Sequence, residues 1–113
     1  MTTRKGITET VHVLADFSIT PIGVESSYSK YIAECQKILK ATGLNYNLHA
    51  SGTNLEGRWD QVMSAIRKCV DRLQEMGVAR SETNIRISIR TDKAITMKDS
   101  VRVVSDKVEA ETK

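Results

Sequence analysis

Apolar and polar residues alternate with a period of two in two stretches of the chain, which predicts two β-strands. In the first stretch, from Val11 to Thr20, the odd positions from Val13 to Ile19 are apolar and the even positions are mostly polar. Pro21 is expected to end this strand, because proline cannot donate a hydrogen bond to a neighbouring strand. The other stretch runs from Thr83 to Thr91 and alternates isoleucine with polar residues.

A β-hairpin is expected between these strands, from Tyr46 to Gly57. Its turn is predicted at Ser51-Gly52, because small and conformationally permissive residues suit a two-residue turn. This turn places Leu48 opposite Leu55. Side chains alternate between the two faces of a strand. The hairpin then has one face with Leu48, Ala50, Thr53 and Leu55, and a polar face with Asn47, His49, Asn54 and Glu56.

Three helices are predicted from apolar residues at helical spacing. The first begins after Ser26 or Ser27, which are suitable N-cap residues, and ends at Gly43. The second runs from about Trp59 to Met76. The last is capped by Thr96, and its narrow apolar stripe is expected to pack at an edge of the domain or on another subunit. This stripe consists of Met97, Val101, Val104 and Val108.

The resulting order of elements is β-α-β-β-α-β with an additional C-terminal helix. This order is typical of the α+β ferredoxin-like sandwich, in which two helices cover one face of a four-stranded antiparallel sheet. The second and fourth strands are expected at the edges of the sheet. We assign residues 11–108 to one such domain, residues 1–10 to a flexible N-terminus and residues 109–113 to a disordered tail.

The length of 113 residues is sufficient for one domain with its own core. The net charge of +3 is too small to indicate nonspecific binding of nucleic acid. Neither a secretory signal nor an apolar segment of membrane-spanning length is recognisable. Cys35 and Cys69 lie on the apolar stripes of two predicted helices, which predicts buried, reduced thiols and a cytoplasmic location.

The sheet face without helices is expected to be polar. Its side chains are Asp16, Ser18, Thr20, Asn47, His49, Asn54, Glu56, Arg86, Ser88 and Arg90. Three interpretations are open: a solvated surface, a hydrogen-bonded interface between subunits, and an interface that also holds a small polar ligand. The amides, hydroxyls and arginines favour the latter two, because they make contacts of more defined geometry than lysine, which is missing from these strands.

Motifs for catalysis, metal binding or cofactor binding are missing from the sequence. His12 and His49 belong to no cluster of metal-ligating residues, so no zinc site is expected. Neither a glycine-rich phosphate loop nor a nucleophile elbow occurs. The open face has no aromatic residue on which a base of RNA would stack. We therefore expect no cofactor, no nucleic acid and no membrane among its partners.

Four segments, at residues 15–23, 48–57, 59–63 and 85–93, carry a family resemblance. The most specific are Pro21-Ile-Gly23 and the hairpin sequence Ser51-Gly-Thr-Asn-Leu-Glu-Gly57. Together the segments resemble the thiamine-binding protein family of the YkoF-like superfamily. The resemblance implies a ferredoxin-like fold, dimers that pack sheet against sheet, often tetramers, and binding of thiamine or its hydroxymethylpyrimidine part without known catalysis.

The resemblance also implies a role for the polar face. An aminopyrimidine has a ring nitrogen and an exocyclic amine, which suit a carboxylate or an amide. Glu56 is the first candidate for this contact and Asp16 the second. The other expected ligand-binding residues are Ser18, Thr20, Ile22, Asn47, His49, Gly52 and Thr53.

We expect a non-enzymatic thiamine carrier or sensor, with the ligand at the interface of a homodimer or homotetramer. The alternative is an interaction protein whose polar sheet face only joins subunits. An enzyme acting on a thiamine-related compound is the third hypothesis, and it would have only His49 and Glu56 as acid–base groups.

Overall fold

The fold is a four-stranded antiparallel sheet with helices, seen in a computed structural model that describes residues 11–24, 27–90 and 96–112. The elements of this part are β1 (His12–Ile22), α1 (Ser29–Thr42), β2 (Asn45–His49), β3 (Gly52–Arg58), α2 (Trp59–Glu75), β4 (Arg80–Ile89) and α3 (Met97–Thr112). The strand order is β2-β3-β1-β4, so the second and fourth strands lie at the edges. This confirms the predicted α+β ferredoxin-like sandwich. The predicted flexible N-terminus lies outside the described residues.

The core lies between the sheet and helices α1 and α2. The alternation predicted for β1 is confirmed, because Val13, Ala15 and Phe17 are all buried. The helices contribute Tyr31, Cys35, Leu39, Val62, Ala65, Ile66, Cys69 and Leu73. Burying these apolar side chains supplies most of the stabilising free energy of such a fold.

Both cysteines are buried and unpaired, as predicted. The thiol of Cys69 donates a hydrogen bond to the carbonyl oxygen of Cys35 at 3.8 Å. The hydrogen bond with Cys35 and burial both raise the pKa of Cys69. Cys69 therefore remains a protonated thiol at neutral pH.

Strand β1 is longer than predicted, because it continues through Pro21 to Ile22. Pro21 is paired with Ser81 of β4 and is buried. Pairing of β1 with β3 ends at Phe17, opposite Thr53, so residues 18–22 of β1 have one free edge within the described sheet. Proline is tolerated at a free edge because no partner there needs its missing N–H group.

The other element ends also differ from the prediction in detail. Strand β4 begins at Arg80 instead of Thr83, because β1 is long enough to pair with the extra residues, and it ends at Ile89. Helix α1 begins after Tyr28 with no side-chain cap, so Ser27 does not cap it, and Ser26 lies outside the described residues. Its C-cap, Gly43, has the predicted left-handed conformation, with φ of 76°.

The β2–β3 hairpin turns at Ala50-Ser51, and the predicted turn at Ser51-Gly52 is wrong. Leu48 pairs with Thr53 instead of Leu55. This register differs from the predicted one by two residues, and a shift of two leaves every side chain on its predicted face. Gly52 is not part of the turn; it lets the hairpin pack closely against β1. A β-carbon at this position would lie 2.8 Å from the backbone oxygen of Phe17.

Helix α3 is attached to the sheet at its first turn, where the carboxylate of Glu56 accepts a hydrogen bond from the N–H of Met97. Thr96 caps it as predicted, because its hydroxyl accepts a hydrogen bond from the N–H of Asp99 at 3.1 Å. The helix continues through Glu109 to Thr112, so the predicted disordered tail is helical over these residues. Every side chain of residues 101–110 is exposed. None of the helices described is long and apolar enough to cross a membrane.

Candidate ligand-binding site

A cavity of about 190 Å³ opens between α1 and the β2–β3 hairpin. It lies where β1 runs past the end of β3, so the free edge of β1 forms one side of it. We refer to it as the α1–hairpin cavity. Its apolar walls include Phe17, Ile19, Tyr28, Tyr31, Ile32 and Leu48, and its polar lining includes Ser18, Thr20, Gln36, His49, Ser51 and Thr53.

Large apolar side chains surround the mouth of this cavity. Tyr28, Ile32 and Leu48 line it and are 38%, 40% and 52% exposed. Deeper in, Phe17 and Tyr31 are almost completely buried. Exposed apolar groups that cluster at a concave site are typical of surfaces that a ligand or another chain covers.

Gln36 and Thr53 connect the helix to the hairpin inside the cavity. The amide Nε2 of Gln36 donates a hydrogen bond to the hydroxyl oxygen of Thr53 at 3.1 Å. Thr53 is only 5% exposed, and Gln36 is half-buried. This bond holds α1 at a defined distance from the hairpin and orients the amide of Gln36.

His49 and Asp16 form a second polar pair at the edge of the cavity. The ring Nε2 of His49 lies 2.6 Å from the carboxylate Oδ1 of Asp16. The backbone N–H of Ser51 donates to Nδ1 of His49 at 3.3 Å, so this nitrogen acts as an acceptor and Nε2 is the donor to Asp16. Both ring nitrogens of His49 therefore have hydrogen-bond partners. The His49–Asp16 pair connects the end of the hairpin to β1.

Glu56 lies on the open sheet face and is almost completely buried, with 4% of its surface exposed. Its carboxylate accepts hydrogen bonds from Nδ2 of Asn45 at 3.1 Å and from the backbone N–H of Met97 at 2.9 Å, and it lies 3.1 Å from Nε2 of His12. A carboxylate near the first N–H groups of a helix is stabilised by the helix dipole. Glu56 therefore attaches α3 to the sheet.

Replacing Gly52 with alanine is expected to lower the free energy of unfolding by about 1–3 kcal/mol, the usual cost of an overpacked site. The new β-carbon would lie 2.8 Å from the Phe17 oxygen and 3.2 Å from Cε1 of His49, so the hairpin must move away from β1. Urea unfolding measures this loss. Ser51→Ala, at the neighbouring exposed position, is the control, and equal stability of the two variants would contradict the prediction.

The sequence matches a known family over most of its length. A model of the family described as thiamine-binding protein matches residues 15–105. The chain belongs to the thiamine-binding protein family. This confirms the family that the sequence motifs indicated.

Two similar proteins are both UPF0045 proteins. UPF0045 protein sll0230 of Synechocystis sp. is 38% identical over 94 residues, which cover 83% of this chain and 78% of that protein. UPF0045 protein ECM15 of Eremothecium gossypii is 37% identical over 99 residues, 87% of this chain and 94% of that protein.

Two solved structures show the same fold. Protein MJ1052 of Methanocaldococcus jannaschii has a TM-score of 0.77 at 29% identity and covers 83% of this chain and 96% of its own. A protein of Thermotoga maritima, proposed in its description to act in thiamine biosynthesis or salvage, has a TM-score of 0.68 at 20% identity, with coverage of 82% and 98%. At that identity the likeness concerns the fold alone.

The structure brings together five of the residues that the sequence predicts for ligand binding in this thiamine-binding family member. Ser18, Thr20, His49, Gly52 and Thr53 line the α1–hairpin cavity. Asp16 is joined to it through its bond with His49. Ile22, Asn47 and Glu56 do not line it. The residues predicted for one site on the open face therefore lie in different places, and only some of them line the cavity. The cavity extends from the free edge of β1 towards the helix-covered side of the sheet.

Sequence reasoning missed Gln36 as a member of this site. Gln36 lies four residues after Ile32 and three before Leu39, so it occupies the border of the apolar stripe of α1. Its amide contacts Thr53 of the hairpin, and the only signal available in the sequence was a polar residue at the border of an apolar stripe. Within the described residues, no group of three His, Cys, Asp or Glu side chains is arranged to hold a metal ion.

Proposed function

We propose that this protein binds thiamine, or its hydroxymethylpyrimidine part, in the α1–hairpin cavity and acts as a carrier or sensor without catalysing a reaction. The observation that supports this most is the position of the cavity: a concave site with aromatic walls and a few oriented polar groups, in a chain of the thiamine-binding family. The two buried free thiols support a cytoplasmic role.

The size of the cavity favours a single ring as the buried part of the ligand. Sites for drug-sized molecules usually enclose roughly 300–1,000 Å³, and this one encloses about 190 Å³. The pyrimidine ring would lie inside, between apolar walls, while the thiazolium ring would lie at the mouth. The carboxylate of Asp16, which is bonded to His49 at the edge of the cavity and has 44% of its side chain exposed, would provide negative charge to attract the thiazolium cation.

A second subunit would complete the site in this proposal. Tyr28, Ile32 and Leu48 at the mouth remain partly exposed in the single chain, and a bound ring of this size would cover only part of their surface. A homodimer or homotetramer that covers the mouth would exclude water from the ligand.

The absence of catalysis is also a proposal. His49, the better placed of the two acid–base candidates, has both ring nitrogens engaged by Asp16 and Ser51. Glu56, the other candidate, is enclosed by donors beside α3. Neither group presents a free proton acceptor to the cavity, which favours a binding protein over an enzyme.

The alternative function is that of an interaction protein, and the apolar stripe on α3 favours it. Val101, Val104 and Val108 are 65%, 61% and 55% exposed, and Ile85 and Ile89 on β4 are 39% and 41% exposed. An assembly that buries these side chains would not need a ligand in the cavity.

Calorimetric titration of the purified protein with thiamine is the experiment that tests the proposal. We expect saturable heat with thiamine and with hydroxymethylpyrimidine, and a similar affinity for thiamine diphosphate, because the recognised ring is common to all three. Recognition through the phosphate would instead make thiamine diphosphate by far the tightest ligand. The protein should first be refolded to remove any ligand carried over from purification. If the folded protein then gives no heat with any of the three compounds, thiamine binding is refuted and the interaction-protein hypothesis remains.

A further inference from the structure

The backbone groups of β1 alternate between its two neighbouring strands. In an antiparallel sheet, successive residues of a strand direct their N–H and C=O groups to opposite sides. The carbonyl oxygen of Val11 accepts a hydrogen bond from the N–H of Trp59 at 3.0 Å, directly after the end of β3. The carbonyl oxygen of Phe17 lies 2.8 Å from the position of a β-carbon at Gly52, the first residue of β3. Odd-numbered residues of β1 therefore point their backbone groups to the β3 side.

Ile19 is the next odd-numbered residue, and it lies beyond the last pair between β1 and β3. The pairing of β1 with β4 advances one residue for one residue from Val13 to Ile22, so no bulge reverses the alternation. The N–H and C=O of Ile19 therefore both point to the side that β3 leaves free, which is the side of the α1–hairpin cavity. No strand in the described part of the chain pairs with them there.

These two groups form a fixed donor–acceptor pair. Ile19 is half-buried and lines the cavity. Backbone N–H and C=O groups that are removed from bulk water are almost always hydrogen-bonded, so this pair needs a partner. The strand holds the donor and the acceptor in fixed directions, whereas a side-chain hydroxyl can rotate and a side-chain amide can turn over.

The free edge is better suited to a small planar ligand than to an added strand. A strand pairs with both the N–H and the C=O of every second residue along its neighbour. Pro21, the next residue that points to this side, has no N–H. The volume of about 190 Å³ also suits one ring better than a peptide segment.

A 4-aminopyrimidine has a matching edge, because its exocyclic amine donates and the ring nitrogen beside the amine accepts, as in adenine. We propose that the C=O of Ile19 accepts a hydrogen bond from this amine and that the N–H of Ile19 donates to this ring nitrogen. The ring then continues the sheet at the free edge of β1. This inference rests on the proposed function and assigns the recognition of the pyrimidine to the backbone of Ile19.

Amide hydrogen exchange, followed by NMR, tests the geometry and the contact. Without ligand, the N–H of Ile19 should be at least about tenfold less protected than those of Ser18 and Thr20, which point to β4. Saturating thiamine should raise the protection of Ile19 at least about tenfold more than it raises that of these two neighbours. Equal protection of the three amides without ligand would overturn the free donor and the proposal with it.

Ile19→Pro removes the donor, and proline is tolerated at a free edge, as Pro21 shows. We expect this variant to bind thiamine at least about tenfold more weakly than wild type in calorimetry, because the ring nitrogen loses its partner. Ile19→Val keeps the N–H and is the control, with an affinity within about threefold of wild type. Circular dichroism checks that both variants fold.

A ligand analogue separates the hydrogen bond from the bulk of proline. In this analogue of thiamine, CH replaces the ring nitrogen beside the amine. Wild type should bind it at least about fivefold more weakly than thiamine, and Ile19→Pro should bind the two within about twofold. Dividing one ratio by the other cancels the differences between the free ligands.

The outcomes distinguish this inference from the proposed function. Thiamine binding with the same ratio of affinities in wild type and Ile19→Pro would overturn the contact and leave thiamine binding intact. A folded Ile19→Pro that binds thiamine as tightly as Ile19→Val would do the same. If Ile19→Pro does not fold, the change in protection of the Ile19 amide decides. Wild-type protein that binds neither ligand would overturn the proposed function and this inference with it.

Discussion

Replacing Glu56 with alanine is expected to destabilise the protein by about 3 kcal/mol and to release helix α3 from the sheet. Hydrogen bonds to a charged group contribute about 1.5–3 kcal/mol each, and a buried donor that loses its partner costs about 1–3 kcal/mol. The Glu56 carboxylate is 4% exposed and accepts from Asn45 and from the backbone of Met97. Part of the loss is recovered because the freed donors regain water once α3 detaches.

Urea unfolding gives the change in stability, and hydrogen exchange at the amides of Met97 to Ser100 reports the release of α3. Glu82→Ala on the exposed surface of β4 is the control and should change stability by less than about 0.5 kcal/mol. Amide exchange in the first turn of α3 that is equally slow in both variants would contradict the attachment. Glu56→Gln adds a test of ligand binding, since a loss of thiamine affinity without release of α3 would favour a direct contact between Glu56 and the pyrimidine.

Replacing Val104 with aspartate is expected to weaken self-association at least about tenfold, which corresponds to about 1.4 kcal/mol. Met97, Val101, Val104 and Val108 recur at intervals of four, three and four residues, the spacing of a helix that packs along one stripe against another helix. A helix of 16 residues whose last ten described side chains are all exposed has little tertiary support. Isolated helices of this length are marginal in water, so α3 is expected to gain its stability from a second chain.

Val103→Asp is the matched control, because Val103 lies on the opposite side of α3 and is 48% exposed. Sedimentation equilibrium of both variants and of wild type gives the association constants. The prediction requires Val104→Asp to shift the average mass towards the 12.6 kDa of one chain while Val103→Asp does not. If both variants change the association constant equally, or if the wild-type protein is monomeric at all concentrations, self-association through the apolar stripe of α3 is excluded.

Periodicity predicted the faces of the sheet well, because a face depends only on whether a position is odd or even. The turn at Ala50-Ser51 instead of Ser51-Gly52 shows this, since the register was wrong by two residues and Leu55 and Thr53 still face the helices. The ends of β1 and β4 were predicted less well. Pro21 looked like a strand end because the sequence does not reveal that β3 begins only at Gly52, which leaves the edge of β1 beyond Phe17 free.

The α1–hairpin cavity was not predictable from the alternation of residues. It exists because two strands of unequal length lie side by side, and relative length depends on the register. Ser18, Thr20 and His49 were selected as polar residues of the open face, and they reach the cavity only because it extends around the free edge of β1. Gln36 was not predicted because helical periodicity identifies only the apolar positions of α1, whereas the contact between Gln36 and Thr53 is a tertiary one.

The unequal lengths of β1 and the hairpin also indicate how the α1–hairpin cavity can be lost or gained in evolution. An insertion of about two residues into each hairpin strand would keep every side chain on its face and extend β3 alongside Ser18 and Ile19. That extension would fill the cavity, and Pro21, which has no N–H to donate, would limit it. Turns accept insertions more readily than cores accept substitutions. Whether a protein of this fold has the α1–hairpin cavity therefore depends on a small difference in the length of one surface hairpin.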